Sequence, residues 1–117
     1  MPRLLRPLAA LLALLLSACA LPPLDAEGQA RLASLLPADA LLLGEQHDAP
    51  EHQQLQRQVV QWLADRGQLA AVVLEMAEAG HGTAGLPPDA SARQVRAALA
   101  WDDARWPWRT YGPVIMA

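Results

Sequence analysis

The sequence has no lysine, no phenylalanine and no asparagine, and only one cysteine and one tyrosine. All nine basic residues are arginine, they face twelve acidic residues, and the formal net charge is −3. This balance excludes a general nucleic-acid binder, whose affinity rests on neutralising phosphates. One cysteine excludes a domain stapled by internal disulfides. Valine and isoleucine total only seven, so material for long buried strands is scarce. With 117 residues the chain holds at most one small domain. That rules out a large enzyme but not a piece of one. Leucine and alanine dominate what is left, and many of the larger apolar residues crowd into the first eighteen positions. The remainder makes a thin core.

Residues 1–6 carry Arg3 and Arg6 and no acid, and residues 8–16 are nine apolar residues in a row. A membrane-spanning helix needs ~20 such residues, whereas nine suit the apolar region of a secretory signal peptide. Leu16-Ser17-Ala18-Cys19 follows directly and resembles the lipobox of bacterial lipoproteins. The resemblance implies cleavage before Cys19 and lipidation of its thiol. Ala20, in place of an aspartate, then favours the outer membrane, facing the periplasm. The expected organisation is a lipoprotein signal peptide over 1–18, a lipidated Cys19 and tether with a short helix over 19–36, and a domain from 37 to 117. Pro37 closes the short helix.

Residues 40–43 form a short apolar run ending at Gly44, which predicts a buried strand. Asp48 with Glu51 reads as a capping box, and Pro50 fits a first helical turn. The helix then runs to about Arg66, with His52, Leu55, Val59, Trp62 and Leu63 on one stripe. Gly67 is its natural terminator. Residues 70–75 predict a second strand, so the pattern is a βαβ unit with two parallel, neighbouring strands. A Gly- and Pro-rich loop over 80–88 precedes another helix over 91–100, capped near Asp89 or Ser91. Trp101, Trp106, Trp108 and Tyr111 then crowd into eleven positions.

Ligands of an open parallel sheet bind at the carboxyl ends of its strands. The first strand ends in Gly44-Glu45-Gln46-His47 and the second in Glu75, so Glu45, His47 and Glu75 are expected on one rim. Two carboxylates and an imidazole suit metal binding or general acid–base work. Plainer roles are open to each: Glu45 as a first-turn acid, His47 as a satisfied loop histidine, Glu75 as a solvated strand end. His52 reads as a packed helix histidine, His81 as an exposed one and Met76 as core. The tryptophans either pack a flat cofactor or partner, or cap the core.

These residues resemble a known family. Leu42 to Asp48 with Pro50-Glu51-His52 resembles the opening motif of the ChaN-like haem-binding lipoproteins. Residues 72–76 resemble that family's second strand, and residues 108–113 its W-x-x-Y-x-P segment. The likeness runs from about residue 26 to residue 117. It implies the amino-terminal half of an α/β domain of the ChaN-like and Tiki–TraB-like superfamily, with two parallel strands, flanking helices and the rest of the sheet missing. It implies haem (iron) as cofactor, enclosed by a homodimer, in iron or haem acquisition at the cell envelope. Carried over by residue, His47, His52 and Tyr111 are the haem-binding candidates; the resemblance implies a tyrosine as iron ligand, and Tyr111, the sole tyrosine, is its candidate. Related folds, the Tiki, TraB and erythromycin-esterase groups, imply an alternative. It is a metal-dependent hydrolase with Glu45, His47 and Glu75 as its rim. A third expectation is a truncated chain with no stable function of its own. A non-catalytic haem-binding protein is the leading reading, with no nucleic-acid partner and a membrane contact through Cys19.

Overall fold

The computed structural model describes residues 22–117. The signal peptide expected over 1–18 and the lipidation at Cys19 lie outside the described residues. Four helices appear in order: α1 (Ala26–Ser34), α2 (Pro50–Asp65), α3 (Ala92–Ala98) and α4 (Trp108–Ile115). None of the described helices is long and apolar enough to cross a membrane.

Local chemistry sets most helix ends. Asp25 caps α1 by accepting from the Gly28 N–H at 2.7 Å, which satisfies one of the donors a first turn leaves free. Helix α2 ends in a Schellman turn. Gly67 takes φ +63°, its N–H reaches the Ala64 carbonyl at 2.9 Å, and the Gln68 N–H reaches the Leu63 carbonyl at 3.0 Å. Ser91 and Gln94 form a reciprocal capping box at the start of α3. The box expected from Asp48 and Glu51 does not form. Ala49 occupies the cap position without a side-chain bond, and Pro50 starts the helix. A turn closed by the Ala49 N–H on the Gln46 carbonyl at 3.0 Å sets the chain's entry instead.

The core lies between α1 and α2. Leu24, Leu32, Val59 and Leu63 are buried together, with Leu36, Leu41, Trp62 and Leu69 packed around them. Full burial of one such side chain stabilises by roughly 1.5–3 kcal/mol, so this small cluster ties the two helices together. Gln29 adds a polar strap. Its amide donates to the Leu24 carbonyl at 2.7 Å and accepts from the Trp62 indole at 3.2 Å. The buried face of α2 is turned from the expected stripe. Gln53, Val59, Val60 and Leu63 are buried, while Leu55 is 51% exposed. The turn has a cause: α4 also packs on α2, bringing its buried Tyr111, Gly112 and Val114.

The α/β expectation is overturned. Among the described residues there are four helices and no strand or sheet. The two apolar runs, 40–43 and 70–75, are non-helical but form no ladder with each other. A strand exists only by exchanging backbone hydrogen bonds with a neighbour. Here both runs line one cleft of about 780 Å³. Leu42 and Val73, at the centres of the two runs, are each 92% exposed. Helix α4 is the element that sequence reasoning missed. Its Gly112 and Pro113 are poor helix formers. Asp103 compensates by accepting from the Trp108 N–H at 2.6 Å.

Candidate functional site

The segment between the first apolar run and α2 places His47 at the centre of a polar cluster. Its Nδ1 lies 2.9 Å from Oε1 of Glu45, and its Nε2 lies 3.7 Å from Oε2 of Glu75. The Tyr111 hydroxyl stands 3.3 Å from the same Nδ1. A carboxylate only accepts, so the shorter contact puts the ring proton on Nδ1 and leaves the Nε2 lone pair facing outward. The Glu45 side chain is 8% exposed, that of His47 40% and that of Glu75 78%. The cluster is therefore anchored inside at Glu45, with Nε2 on its exposed side beside the mostly exposed Glu75 carboxylate.

Helix α2 supplies the floor. Gln53, 5% exposed, donates to Oε1 of Glu45 at 2.9 Å and more weakly to the Gln46 carbonyl at 3.4 Å. His52 accepts the Gln46 N–H on Nδ1 at 3.0 Å. Helix α4 supplies Tyr111, itself only 3% exposed. The tryptophans form a wall behind it. Trp106 meets His47 edge-on at 4.9 Å and Tyr111 at 5.8 Å, and Trp101 meets Trp108 at 5.5 Å. The Trp101 indole donates to the Trp106 carbonyl at 2.8 Å and fixes that wall.

The electrostatics follow from this packing. Burial pushes the Glu45 carboxyl up, but hydrogen bonds from His47, Gln53, Gln56 and Tyr111 outweigh it and hold it below the ordinary value. The hydrogen bond to Glu45 raises His47 above its ordinary value against a smaller opposing effect of burial, and the charges of Glu45, Glu75 and Asp48 add to the rise. Burial first, then the Glu45 charge and hydrogen bond, push the Tyr111 phenol up to about 12. Tyr111 is held as a neutral phenol.

Glu45, His47 and Glu75 line the 780 Å³ cleft, together with Leu41, Leu43, Val59, Val60 and Leu63. His52, Tyr111 and the three clustered tryptophans do not. The structure thus brings Glu45, His47 and Glu75 to one place without a sheet rim. It sets Tyr111 behind His47 and His52 beneath the turn. The two carboxylates approach opposite nitrogens of one ring, so they do not converge on a single point. Among the described residues no group of three or more His, Cys, Asp or Glu side chains is arranged to hold a metal ion. Sequence reasoning missed Gln53 and Gln56. Their three-residue spacing at the amino end of the buried face was the available signal.

Such a His–carboxylate pair, proton inward and lone pair outward, is the arrangement that makes an imidazole a good metal ligand. A family model described as haem-binding uptake, Tiki superfamily, ChaN, matches residues 31–117. No curated protein and no solved structure matches the chain.

Proposed function

The chain belongs to the ChaN family of haem-binding uptake proteins in the Tiki superfamily, and on that premise we propose that it binds haem in the cleft beside His47, which ligates the iron through Nε2. The observation that carries this reading is the 2.9 Å contact between Nδ1 and Glu45. It orients the ring and makes the outward nitrogen a stronger donor. The cleft fits the rest of the ligand. Its walls are largely leucine, valine and alanine, which suits a flat apolar macrocycle. Among the described residues no arginine lines it, so the propionates belong at its open mouth. Bound haem supplies the iron and the visible absorption, and the protein supplies the axial nitrogen and the apolar walls.

Tyr111 has a different part in this reading. A phenol pushed up to about 12 and buried against a carboxylate resists forming the phenolate that iron takes. It supports Glu45 and His47 from behind. A divalent-ion hydrolase built on Glu45, His47 and Glu75 is less well supported, because the two carboxylates flank opposite ring nitrogens. The lipobox at residues 16–19 supports an envelope lipoprotein that acquires haem. The exposed Leu42 and Val73 at the cleft support closure of the site by a second copy of the chain.

Titration with haemin, followed in the Soret region, tests the assignment. His47→Ala should lose the ligated spectrum, and Tyr111→Phe should keep it. A spectrum that survives His47→Ala and vanishes in Tyr111→Phe would refute the choice of ligand. No spectral change in the parent chain would refute haem binding.

A further inference from the structure

We infer that His52 and Gln53 are positioning residues, consecutive side chains of α2 that clamp residues 45–46 and thereby fix which nitrogen of His47 carries the proton. Neighbouring helix positions point about 100° apart, so a consecutive pair grips two different parts of the preceding loop. His52 takes the backbone, accepting the Gln46 N–H on Nδ1 at 3.0 Å. Gln53 takes the side chain, donating to Oε1 of Glu45 at 2.9 Å, with a weaker reach of 3.4 Å to the Gln46 carbonyl.

Gln53 is the buried polar residue of the described core, on the same helix face as Val60 and Leu63. An amide at an apolar position costs free energy unless its hydrogen bonds are made. Both of its donors go to the loop that carries Glu45 and His47. The oxygen it holds, Oε1 of Glu45, is the one that faces Nδ1 of His47 at 2.9 Å. A held acceptor keeps the His47 proton on Nδ1. The amide also supplies a hydrogen bond that keeps Glu45 ionised without competing for the imidazole.

His52 must then adopt the opposite tautomer. A backbone N–H only donates, so Nδ1 of His52 is the acceptor and its proton sits on Nε2. Its single lone pair is occupied, and it has none left for iron. This assigns His52 a part unlike the cofactor contact expected from its place in the motif. The value of the clamp for haem rests on the reading of His47 given above. The pair of opposite tautomers does not.

The test is a long-range proton–nitrogen correlation of the ¹⁵N-labelled full chain without haem, at a pH that leaves both rings neutral. The expected pattern is Nδ1–H for His47 and Nε2–H for His52. Gln53→Leu, close in volume and unable to donate, should lose the Nδ1–H preference of His47. His52→Gln, which can still accept the Gln46 N–H, should keep it, and His52→Leu should weaken it. If Gln53→Leu does not fold, the parent pattern and the His52 pair still decide. A parent chain with Nε2–H on both rings would overturn the clamp. So would a folded Gln53→Leu with His47 unchanged. Opposite tautomers in a chain that gives no Soret change with haemin would support the clamp and remove the haem reading alone.

Discussion

Gly112 sits where α4 meets the tryptophan wall, and replacing it with alanine is a quantitative test of that packing. A Cβ there would lie 2.6 Å from Cε2 and Nε1 of Trp108 and 3.0 Å from its Cδ1. Ordinary carbon contacts are ~3.5–4.0 Å, so the ring must retreat by roughly 1 Å. It is not free to do so cheaply. It packs edge-on against Trp101 at 5.5 Å, and the Arg96 guanidinium lies 5.5 Å from its centroid. Overpacking of this kind costs about 1–3 kcal/mol. Against it stands the gain of ~1 kcal/mol for alanine over glycine inside a helix. The net expectation for Gly112→Ala is a loss of about 1 kcal/mol. In a Trp108→Leu background the ring is gone, and the same change should stabilise by up to ~1 kcal/mol. Urea unfolding followed by circular dichroism at 222 nm gives all four corners of this cycle. Gly112→Ala stabilising the parent chain, or costing the same in both backgrounds, would refute the close approach of Trp108.

Other outcomes follow from the same structure. Ala100 holds φ +47° just after α3, where the Trp101 N–H closes on the Arg96 carbonyl at 3.0 Å. Because a side chain in the left-handed region costs ~1–2 kcal/mol, Ala100→Gly should raise the urea midpoint by roughly 1 kcal/mol of stability, net of glycine's extra chain entropy. Iron takes the neutral imidazole, and Glu45 raises the His47 value above 6.5, so haemin affinity should fall with acid through a midpoint above 6.5; a midpoint at or below 6.5 contradicts the Glu45 contact. Stability of the haem-free chain has the opposite dependence on His47. A raised folded value contributes fully below 6.5 and is lost as pH rises through that value, while the lowered Glu45 value contributes fully above 4.5 and is lost on acidification. The unfolding midpoint contributed by this pair should therefore be highest between those two limits, and a pH titration of the urea midpoint reads it. Cys19→Ser should release the expressed protein from the membrane fraction; unchanged fractionation would remove the lipid-anchor reading.

Two helix ends, the stop at Gly67 and the cap at Ser91, were legible in the chain, whereas the capping box read at Asp48 and Glu51 does not form. Gly67 and Ser91 act on backbone groups within a few residues of themselves, so their residue types carry the information; the Asp25 cap, of the same kind, went unread. The helix over 50–65 and its glycine stop were readable for that reason. The candidate site was legible only as a set of residues. Glu45, His47 and Glu75 were expected on a shared rim, and they do lie together, but two unpaired runs beside a cleft bring them there.

What the sequence by itself determined is therefore local: the Ser91 cap, the glycine stop at Gly67, and the family that its motifs announce. Tertiary structure alone decided three things. It left residues 40–43 and 70–75 without strands, because a strand needs a partner that neither run supplies to the other. It turned α2 so that Gln53, not Leu55, is buried, because α4 claims that face. It carried Tyr111 across 64 positions of sequence to the back of His47, a distance over which spacing in the chain holds no record of contact in space.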